Sequence, residues 1–338
     1  METIYTAGRG TPADFSDNKI TSLRRTSSAK CSATTLRFVP LTLAELPLVN
    51  RILQQSPSRT CDYSIGGIYM WIEYFGYKVC FVGDTLFIKG VSESDPTVTA
   101  FMMPVGEMDD ARAVSLIRDY CRSLDLLPVL SAVPEDRMEA LTAICPDARC
   151  ESLDVWNDYL YDIDALASLR GKAYNKKRNH VNRFMADNPD MVFESLTSAL
   201  LPEVILYFAG MCMRERPEPD PSALGTAAYE RRQTMGVLNN YSSYPFTGAV
   251  LRAQSGEIAS FCIGEPIGDT LFVHIEKSRH DIAGAGETIN MLYAREMKDK
   301  FPGLRFVNRE DDAGDPGLRK AKLSYRPCSI LQKYNVYL

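Results

Sequence analysis

Charged side chains of both signs are concentrated directly after a short apolar segment near the end of the sequence. Residues 304–308, LRFVN, have the pattern of a buried strand, and Arg309, Glu310, Asp311 and Asp312 follow at once. Polar groups just past a strand end converge on a ligand when the apolar strand holds them still. We therefore interpret this segment as a binding site. The alternative is a solvated charged loop.

A second group that could do chemistry is the pair His274 and Glu276 in the predicted strand FVHIEKS. A carboxylate in an apolar strand needs a partner or a water-lined cleft, so Glu276 is a candidate general base. His274 lies two residues earlier, and we expect it on the same face of the strand. The alternatives are a structural ion pair of Glu276 with Arg252 or Lys277, and a core histidine hydrogen-bonded to the backbone.

A basic segment between Leu166 and Met185 contains six Lys or Arg residues and no acidic residue. Phosphate groups are the natural partners of such a segment. Helical spacing places Lys172, Lys176 and Asn179 near one face. The residues predicted to bind phosphate are Lys172, Lys176, Lys177, Arg178, Asn179 and Arg183. An exposed basic helix without a ligand is the alternative.

Helix and strand patterns around these groups predict an α+β protein. The predicted elements of the second half are a helix at 202–214, strands at 247–253, 257–266 and 269–278, a helix from Glu287, and the strand at 304–308. Residues 254–257 suit a hairpin turn, and the Pro-rich residues 217–225 predict a loop.

The first half has its own strands and helices, including a predicted hairpin about Gly83-Asp84, and its α+β unit ends near Asp164. It shows no obvious pair of nucleophile and base. Residues 1–35 are rich in Ser and Thr and poor in large apolar side chains, so we predict a disordered tail.

The composition is that of an ordinary globular protein with room for two domains: 338 residues, 45% apolar and 24% charged. The nine Cys residues form no C-x-x-C pair, so we expect reduced thiols in the cytoplasm. We expect no metal site, because Cys and His lack ligand spacing. The sequence lacks a run of roughly 20 apolar residues, so we predict no transmembrane segment. A formal charge of -5 argues against indiscriminate nucleic-acid binding.

The motif formed by Gly317-Leu318-Arg319, Lys322, Tyr325 and Pro327 resembles the end of the C-terminal domain of bacterial phosphatidylglycerol lysyltransferases. The resemblance extends to the basic segment 169–184 and, more loosely, to residues 61–71, and so covers roughly residues 36–338. It implies two tandem GNAT-like acyltransferase domains, residues 36–165 and 166–338, each a mixed, mostly antiparallel sheet with flanking helices. It also implies transfer of an amino acid from aminoacyl-tRNA to a lipid hydroxyl.

The resemblance gives roles to individual residues. It implies a catalytic set of Glu276, Asn308 and Lys322, with Asn308 close to Glu276 on the neighbouring strand. Glu276 would be the base or the anchor of the ammonium group, and Lys322 or Arg319 would be the cation near the oxyanion or the 3′-terminal phosphate. Asp311 or Asp312 would bind a cationic amino acid. The substrate-binding residues would be His274, Arg309, Glu310, Asp311, Asp312, Arg319, Lys320 and Tyr325. Aminoacyl-tRNA would be the co-substrate without a further cofactor, and the acceptor would be a lipid, a peptide or a small amine. Contact with membrane lipid would then be peripheral.

Two other functions stay open at this point. A CoA-dependent N- or O-acyltransferase is opposed by Asp281, which stands where a CoA phosphate loop ending in Gly284 and Gly286 would have a cation or an amide. A tight turn at a helix start is the alternative explanation of these glycines. The other function is a noncatalytic module that binds polyanions.

Overall fold

Two mixed sheets dominate the protein. The computed structural model describes residues 35–92, 95–214 and 227–338. The predicted tail, except for residue 35, and the predicted loop at 217–225 lie outside these residues. Among the described residues, no helix is both long and apolar enough to cross a membrane.

The strands are named in chain order. They are β1 (Val39–Pro40), β2 (Lys78–Val82), β3 (Thr85–Val91), β4 (Thr99–Phe101), β5 (Val105–Gly106), β6 (Val129–Pro134), β7 (Arg149–Ser152), β8 (Asp158–Asp162), β9 (Val192–Ser195), β10 (Thr247–Arg252), β11 (Ile258–Ile267), β12 (Thr270–Ser278), β13 (Phe306–Asn308), β14 (Ser329–Leu331) and β15 (Lys333–Tyr337).

The helices are named in the same way. They are α1 (Leu46–Leu53), α2 (Ile65–Tyr69), α3 (Ile72–Phe75), α4 (Asp110–Ser123), α5 (Glu135–Ile144), α6 (Ile163–Ser168), α7 (Asn175–Asp187), α8 (Leu201–Arg214), α9 (Ala227–Asn239), α10 (Ala285–Lys300) and α11 (Pro316–Leu323).

The first sheet has the order β1-β2-β3-β4-β6-β15-β7, with β5 paired to β3. The second has the order β14-β8-β13-β12-β11-β10-β9. Strands β4 and β6 are parallel, as are β12 and β13, and the other pairs are antiparallel. The predicted class, α+β with two mixed and mostly antiparallel sheets flanked by helices, is confirmed.

Local sequence explains several of these elements. The two-residue turn Gly83-Asp84 joins β2 to β3, with Gly83 at φ 58°, which confirms that predicted hairpin. The connection between β10 and β11 is likewise a hairpin. Helix α11 begins at Pro316, and the Asp315 carboxylate caps it by accepting from the Leu318 amide at 2.6 Å.

Apolar side chains divide the interior into layers. One core lies between the first sheet and helices α1, α2 and α4. The second sheet is covered on both faces, by α6, α7 and α10 on one side and by α8 and α9 on the other. Central strand β11 is therefore buried along almost its whole length.

Each sheet also takes a strand from the other half of the sequence. Strand β8 lies in the second sheet, and β15 lies between β6 and β7 in the first. Both sheets belong to one compact unit, residues 35–338. The two domains 36–165 and 166–338 stay a prediction. Strands β8 and β15 each belong to the sheet on the other side of the predicted boundary.

A β-bulge interrupts β12 at His274. Val273 pairs with Gly264 and Ile275 pairs with Ile263, so His274 is the extra residue between them. A bulge shifts the alternation of side chains by one position. The expectation that His274 and Glu276 share a face is therefore wrong, because it assumed unbroken alternation.

Candidate functional site

Glu276, near the end of β12, forms an ion pair with Arg309, the first residue after β13. Arg309 Nη2 lies 3.1 Å from both carboxylate oxygens of Glu276. Asn290 of α10 donates to Glu276 Oε2 at 3.2 Å. The Glu276 side chain is 20% exposed and the Arg309 side chain 14%, so the pair is reached from solvent but mostly desolvated.

The two partners expected for Glu276 are engaged elsewhere. Arg252 binds Glu194 and Glu203, and Lys277 binds Glu230. The alternative of an ion pair was thus right in kind, but the partner is Arg309. The parallel pairing of β12 with β13 brings the two strand ends together, although 33 residues separate them.

The guanidinium of Arg309 is only partly satisfied within the fold. Its Nη1 is buried and has no hydrogen-bond partner among the residues that the structure describes. The guanidinium carbon lies 4.8 Å from the ring centre of Tyr325 and 5.9 Å from that of Tyr161. Burial works against the charge, but Glu276 together with Tyr325 and Tyr161 outweighs it and holds the pKa of Arg309 above its ordinary value. An unpaired buried donor costs about 1–3 kcal/mol, which a ligand oxygen would recover.

Lys177 of α7 extends this site. Its Nζ lies 4.0 Å from the centre of the Tyr325 ring and 3.2 Å from Glu287 Oε1 of α10. Both Lys177 and Glu287 are about one fifth exposed. We call the resulting group the Glu276 cleft. It consists of Lys177, Glu276, Glu287, Asn290, Arg309 and Tyr325.

Asn308 does not belong to the Glu276 cleft. The strand register sets it opposite Phe272, four residues from Glu276. Its amide nitrogen donates to the carbonyl of Arg59 at 2.6 Å and to Asp158 Oδ2 at 2.8 Å, and its oxygen accepts from the Glu310 amide at 2.6 Å. The side chain is fully buried and fixes the turn after β13.

Asp158 belongs to a buried ion cluster between the two sheets, which the sequence reading missed. Lys333 Nζ of β15 lies 2.6 Å from Asp62, 2.9 Å from Asp158 and 3.4 Å from Cys61 Sγ. Burial opposes the charge of Lys333, but Asp158 and Asp62 outweigh it and raise its pKa well above the ordinary value. The side-chain atoms of Cys61, Asp62 and Asp158 that could hold a metal ion lie within 4.8 Å of one another. The Lys333 ammonium already supplies the positive charge at this place. No local pattern signals this cluster, because alternation in KYNVY places Lys333 on the face away from Val336.

Lys322 of α11 is directed into the turn after β13. Its Nζ donates to the carbonyl of Arg309 at 2.5 Å and also to the carbonyl of Asp311. Burial lowers the pKa of the ammonium, although Asp311 and Glu310 lie nearby. Both contacts are to the backbone, so Lys322 stabilises the turn.

The acidic residues of the turn have separate environments. Asp312 is buried and accepts from Arg319 Nε at 2.7 Å and from the Tyr159 hydroxyl at 2.5 Å. Asp311 accepts from the Ala313 amide at 2.8 Å, and burial raises its pKa to about 6. Asp312 was expected to bind a cationic amino acid, but its partner is Arg319 of the same chain. Lys320 is exposed on α11.

His274 lies between two carboxylates on the face of the sheet opposite α10. Its Nδ1 is 2.7 Å from Glu310 Oε1, and its Nε2 is 2.9 Å from Glu265 Oε1. Glu265 also accepts from the Gly66 amide of α2 at 2.8 Å. Burial lowers the pKa of His274, but the two carboxylates outweigh it and raise the pKa to about 9. The partners are therefore side chains, and the buried Glu265 was missed by the sequence reading.

The predicted basic segment separates into outward and inward residues. Lys172, Lys176, Asn179 and Arg183 are exposed at or along α7. Arg178 is tied to the Leu169 carbonyl at 2.6 Å and to Asn175. Lys177 enters the Glu276 cleft, so α7 presents cations both to solvent and to the cleft.

Gly284, the residue before α10, serves helix packing. Gly284 has φ 85°, and a Cβ there would lie 2.4 Å from the carbonyl oxygen of His180 in α7. Asp281 binds Arg279 through two contacts, at 2.9 and 2.5 Å, so its charge is compensated. The acidic side chain is thus a weaker obstacle to an anion than the sequence suggested, whereas α7 closely covers the turn at Gly284.

The chain is similar to two solved structures. A conserved protein of unknown function from Bacteroides thetaiotaomicron is 29% identical, with a TM-score of 0.79, over 90% of this chain and 100% of that one. L-PGS from Bacillus licheniformis is 15% identical, with a TM-score of 0.55, over 81% of this chain and 91% of that one, a likeness of fold.

An uncharacterised protein of Mycoplasmoides gallisepticum is 24% identical over 183 residues, 53% of this chain. The match spans 55% of that protein, about half the length of this curated relative. The family described as phosphatidylglycerol lysyltransferase, C-terminal, matches residues 53–337. Because this match spans most of the chain, the protein belongs to the phosphatidylglycerol lysyltransferase C-terminal family.

Proposed function

We propose that this protein is an aminoacyltransferase that takes an amino acid from aminoacyl-tRNA and transfers it to a lipid, peptide or small amine acceptor. The observation that carries the proposal is the Glu276–Arg309 pair, in which the buried Nη1 of Arg309, beside a carboxylate, has no hydrogen-bond partner in the described parts of the chain. The membership of the chain in its family supports an acyl or aminoacyl transferase in general terms.

An aminoacyl ester offers groups that match this pair. Its ammonium group is a partner for the Glu276 carboxylate, and its carbonyl oxygen is an acceptor for Arg309 Nη1. In the transfer, the acceptor hydroxyl or amine attacks the ester carbon and loses a proton, and the ribose oxygen leaves with a proton. A donor near the carbonyl oxygen stabilises the negative charge that develops there.

These assignments revise the roles expected from the sequence. Arg309 replaces Lys322 as the cation near the carbonyl oxygen, because the Lys322 ammonium is bound to backbone carbonyls. Glu276 serves as the ammonium anchor, since both of its oxygens already accept from Arg309. Asn308 is assigned to holding the turn, since its amide is used within the fold.

Helix α7 supports RNA as the carrier of the amino acid. Lys176 is exposed, and the next residue, Lys177, lies in the Glu276 cleft. A phosphate chain that contacts Lys176 and Arg183 on the outer face would bring its end towards Lys177. No observation favours CoA to the same degree, because α7 packs on the glycine turn where its pyrophosphate would bind.

The test is transfer of radiolabelled amino acids from charged total tRNA, one amino acid at a time. Phosphatidylglycerol vesicles, peptides and small amines serve as acceptors. We expect Glu276→Gln and Arg309→Lys to lower the rate at least about 100-fold, the scale of losing one aligned transition-state donor. Acetyl-CoA binding is measured by calorimetry alongside.

Arg122→Lys is the matched control, because Arg122 is an exposed residue of α4 paired with Asp119. Its rate should equal that of the wild type. Full activity in folded Glu276→Gln and Arg309→Lys proteins would remove the proposed roles. Saturable acetyl-CoA binding without transfer from tRNA would replace the proposed function by CoA-dependent acyl transfer.

A further inference from the structure

His274 is a buried histidine that the proposed reaction does not use. Its side chain is fully buried, and it contacts one carboxylate on each side, Glu265 on β11 and Glu310 in the turn after β13. We propose that His274 is a positioning residue, whose imidazolium holds Glu310 and thereby fixes Arg309 in the Glu276 cleft. This inference rests on the proposed function of that cleft.

The contacts of His274 require two ring donors. A neutral imidazole carries a single N–H, whereas an ionised carboxylate only accepts. Two carboxylate oxygens at 2.7 and 2.9 Å are therefore both satisfied only by the doubly protonated ring. The pKa of about 9, which the two carboxylates produce against burial, agrees with this geometry.

The ring has no space to adopt another position. A Cβ on Gly66 would lie 2.3–2.4 Å from the His274 ring, so α2 approaches the ring with backbone alone. Phe246 and Phe272 lie beside it, with ring centres at 5.7 and 6.4 Å. The charged groups that face His274 are thus Glu265 from β11 and Glu310 from the turn, while α2, β12 and the residue before β10 contribute backbone and rings.

Glu310 connects His274 to the cleft. It has φ 57°, a left-handed conformation that is unusual for a residue with a side chain. Its amide donates to Asn308, and its carbonyl accepts from the Tyr159 amide at 3.1 Å. The contact with His274 is its side-chain anchor. Arg309 precedes it and points to the opposite face, so a change at Glu310 moves the guanidinium relative to Glu276.

Glu265→Gln provides the sharpest test, since it keeps the shape and removes one negative charge from His274. In the full-length protein, kcat/KM for transfer from charged tRNA should fall at alkaline pH with a midpoint near 9. In Glu265→Gln, we expect the midpoint to move down by at least about one pH unit, with an unchanged rate at pH 6. A residue with only a structural role would lower the rate equally at every pH.

NMR gives a readout that needs no activity. The Cε1–H signal of His274, assigned by its loss in His274→Gln, should titrate near pH 9 in the wild type and lower in Glu265→Gln. The Nε–H signal of Arg309 should shift over the same pH range in each protein. Titration of His274 near pH 6.5, or an Arg309 Nε–H signal that does not shift while His274 titrates, would overturn the proposal. If no aminoacyl group moves, the proposed function fails, and these NMR signals still decide the role of His274.

Discussion

Lys322 Nζ lies 2.5 Å from the carbonyl oxygen of Arg309. A lysine of the family motif, on α11, thus contacts the backbone of the residue that pairs with Glu276. The same ammonium also donates to the carbonyl of Asp311. A helix outside the sheet therefore sets the path of the turn after β13. The side chain of Arg309 remains available to Glu276 because its backbone is held from the other side.

Replacing Lys322 should destabilise the protein. In Lys322→Met, the carbonyls of Arg309 and Asp311 lose a charged donor in a buried place, and we expect the free energy of unfolding to fall by about 2–4 kcal/mol. Urea denaturation measures the difference. Lys320→Met is the control on the same helix, because Lys320 is exposed, and it should change stability by less than about 0.5 kcal/mol. Equal stability of the two variants would contradict the assigned contacts.

Asp311 should make stability fall as pH rises through the acid range. Burial raises its pKa from 3.8 to about 6, so the folded state binds the proton more tightly than the unfolded state. The penalty is absent below about pH 4 and complete above about pH 6. We expect Asp311→Asn to be more stable than the wild type by about 1–3 kcal/mol at pH 7 and equal at about pH 3. Urea unfolding at both values tests this, and a difference independent of pH would count against it.

Two glycines in helices should respond in opposite ways to alanine. A Cβ at Gly66 meets the His274 ring, so Gly66→Ala should lower stability by about 1–3 kcal/mol. At Gly236 in α9 a Cβ meets no atom of the described residues within 4 Å, so Gly236→Ala should raise stability by about 0.5–1 kcal/mol. Thermal unfolding of both variants measures the contrast. A stable Gly66→Ala protein would mean that the ring has room to move.

The outer face of α7 should determine the salt dependence of RNA binding. Lys176→Glu with Arg183→Glu removes two exposed cations, and the slope of log affinity against log salt should fall by about 1–2. Filter binding of total tRNA across a salt series gives that slope. Lys78→Glu with Arg122→Glu changes the net charge equally in the first half and is the control. A similar loss in both proteins would show attraction to net charge only.

Local patterns predicted much of this fold because the signals were contained in short segments. The hairpin at Gly83-Asp84 needs a tight turn between two apolar runs, and both features stand in the sequence. The grouping of charges after 304–308 also located the turn that forms the site. Arg309 stands in that group of charges and stays a predicted substrate-binding residue, whereas its partner Glu276 was assigned a separate role.

Other features depend on residues far apart in the chain. The bulge at His274 leaves no trace in FVHIEKS, because the strand pattern there is compatible with unbroken alternation. The buried ammonium of Lys333 is paired with Asp158 and Asp62. These three residues come close together only because β15 lies between β6 and β7. Tertiary pairing of this kind decides which charges are buried together.

The place of β15 also has a consequence for synthesis on the ribosome. Strands β6 and β7 both pair with β15, so their facing edges stay open until residues 333–337 leave the exit tunnel. Open strand edges are templates for aggregation. In a nascent chain halted before residue 333, β7 would therefore be separated from the rest of the first sheet. Translation has to finish β15 before that sheet can close.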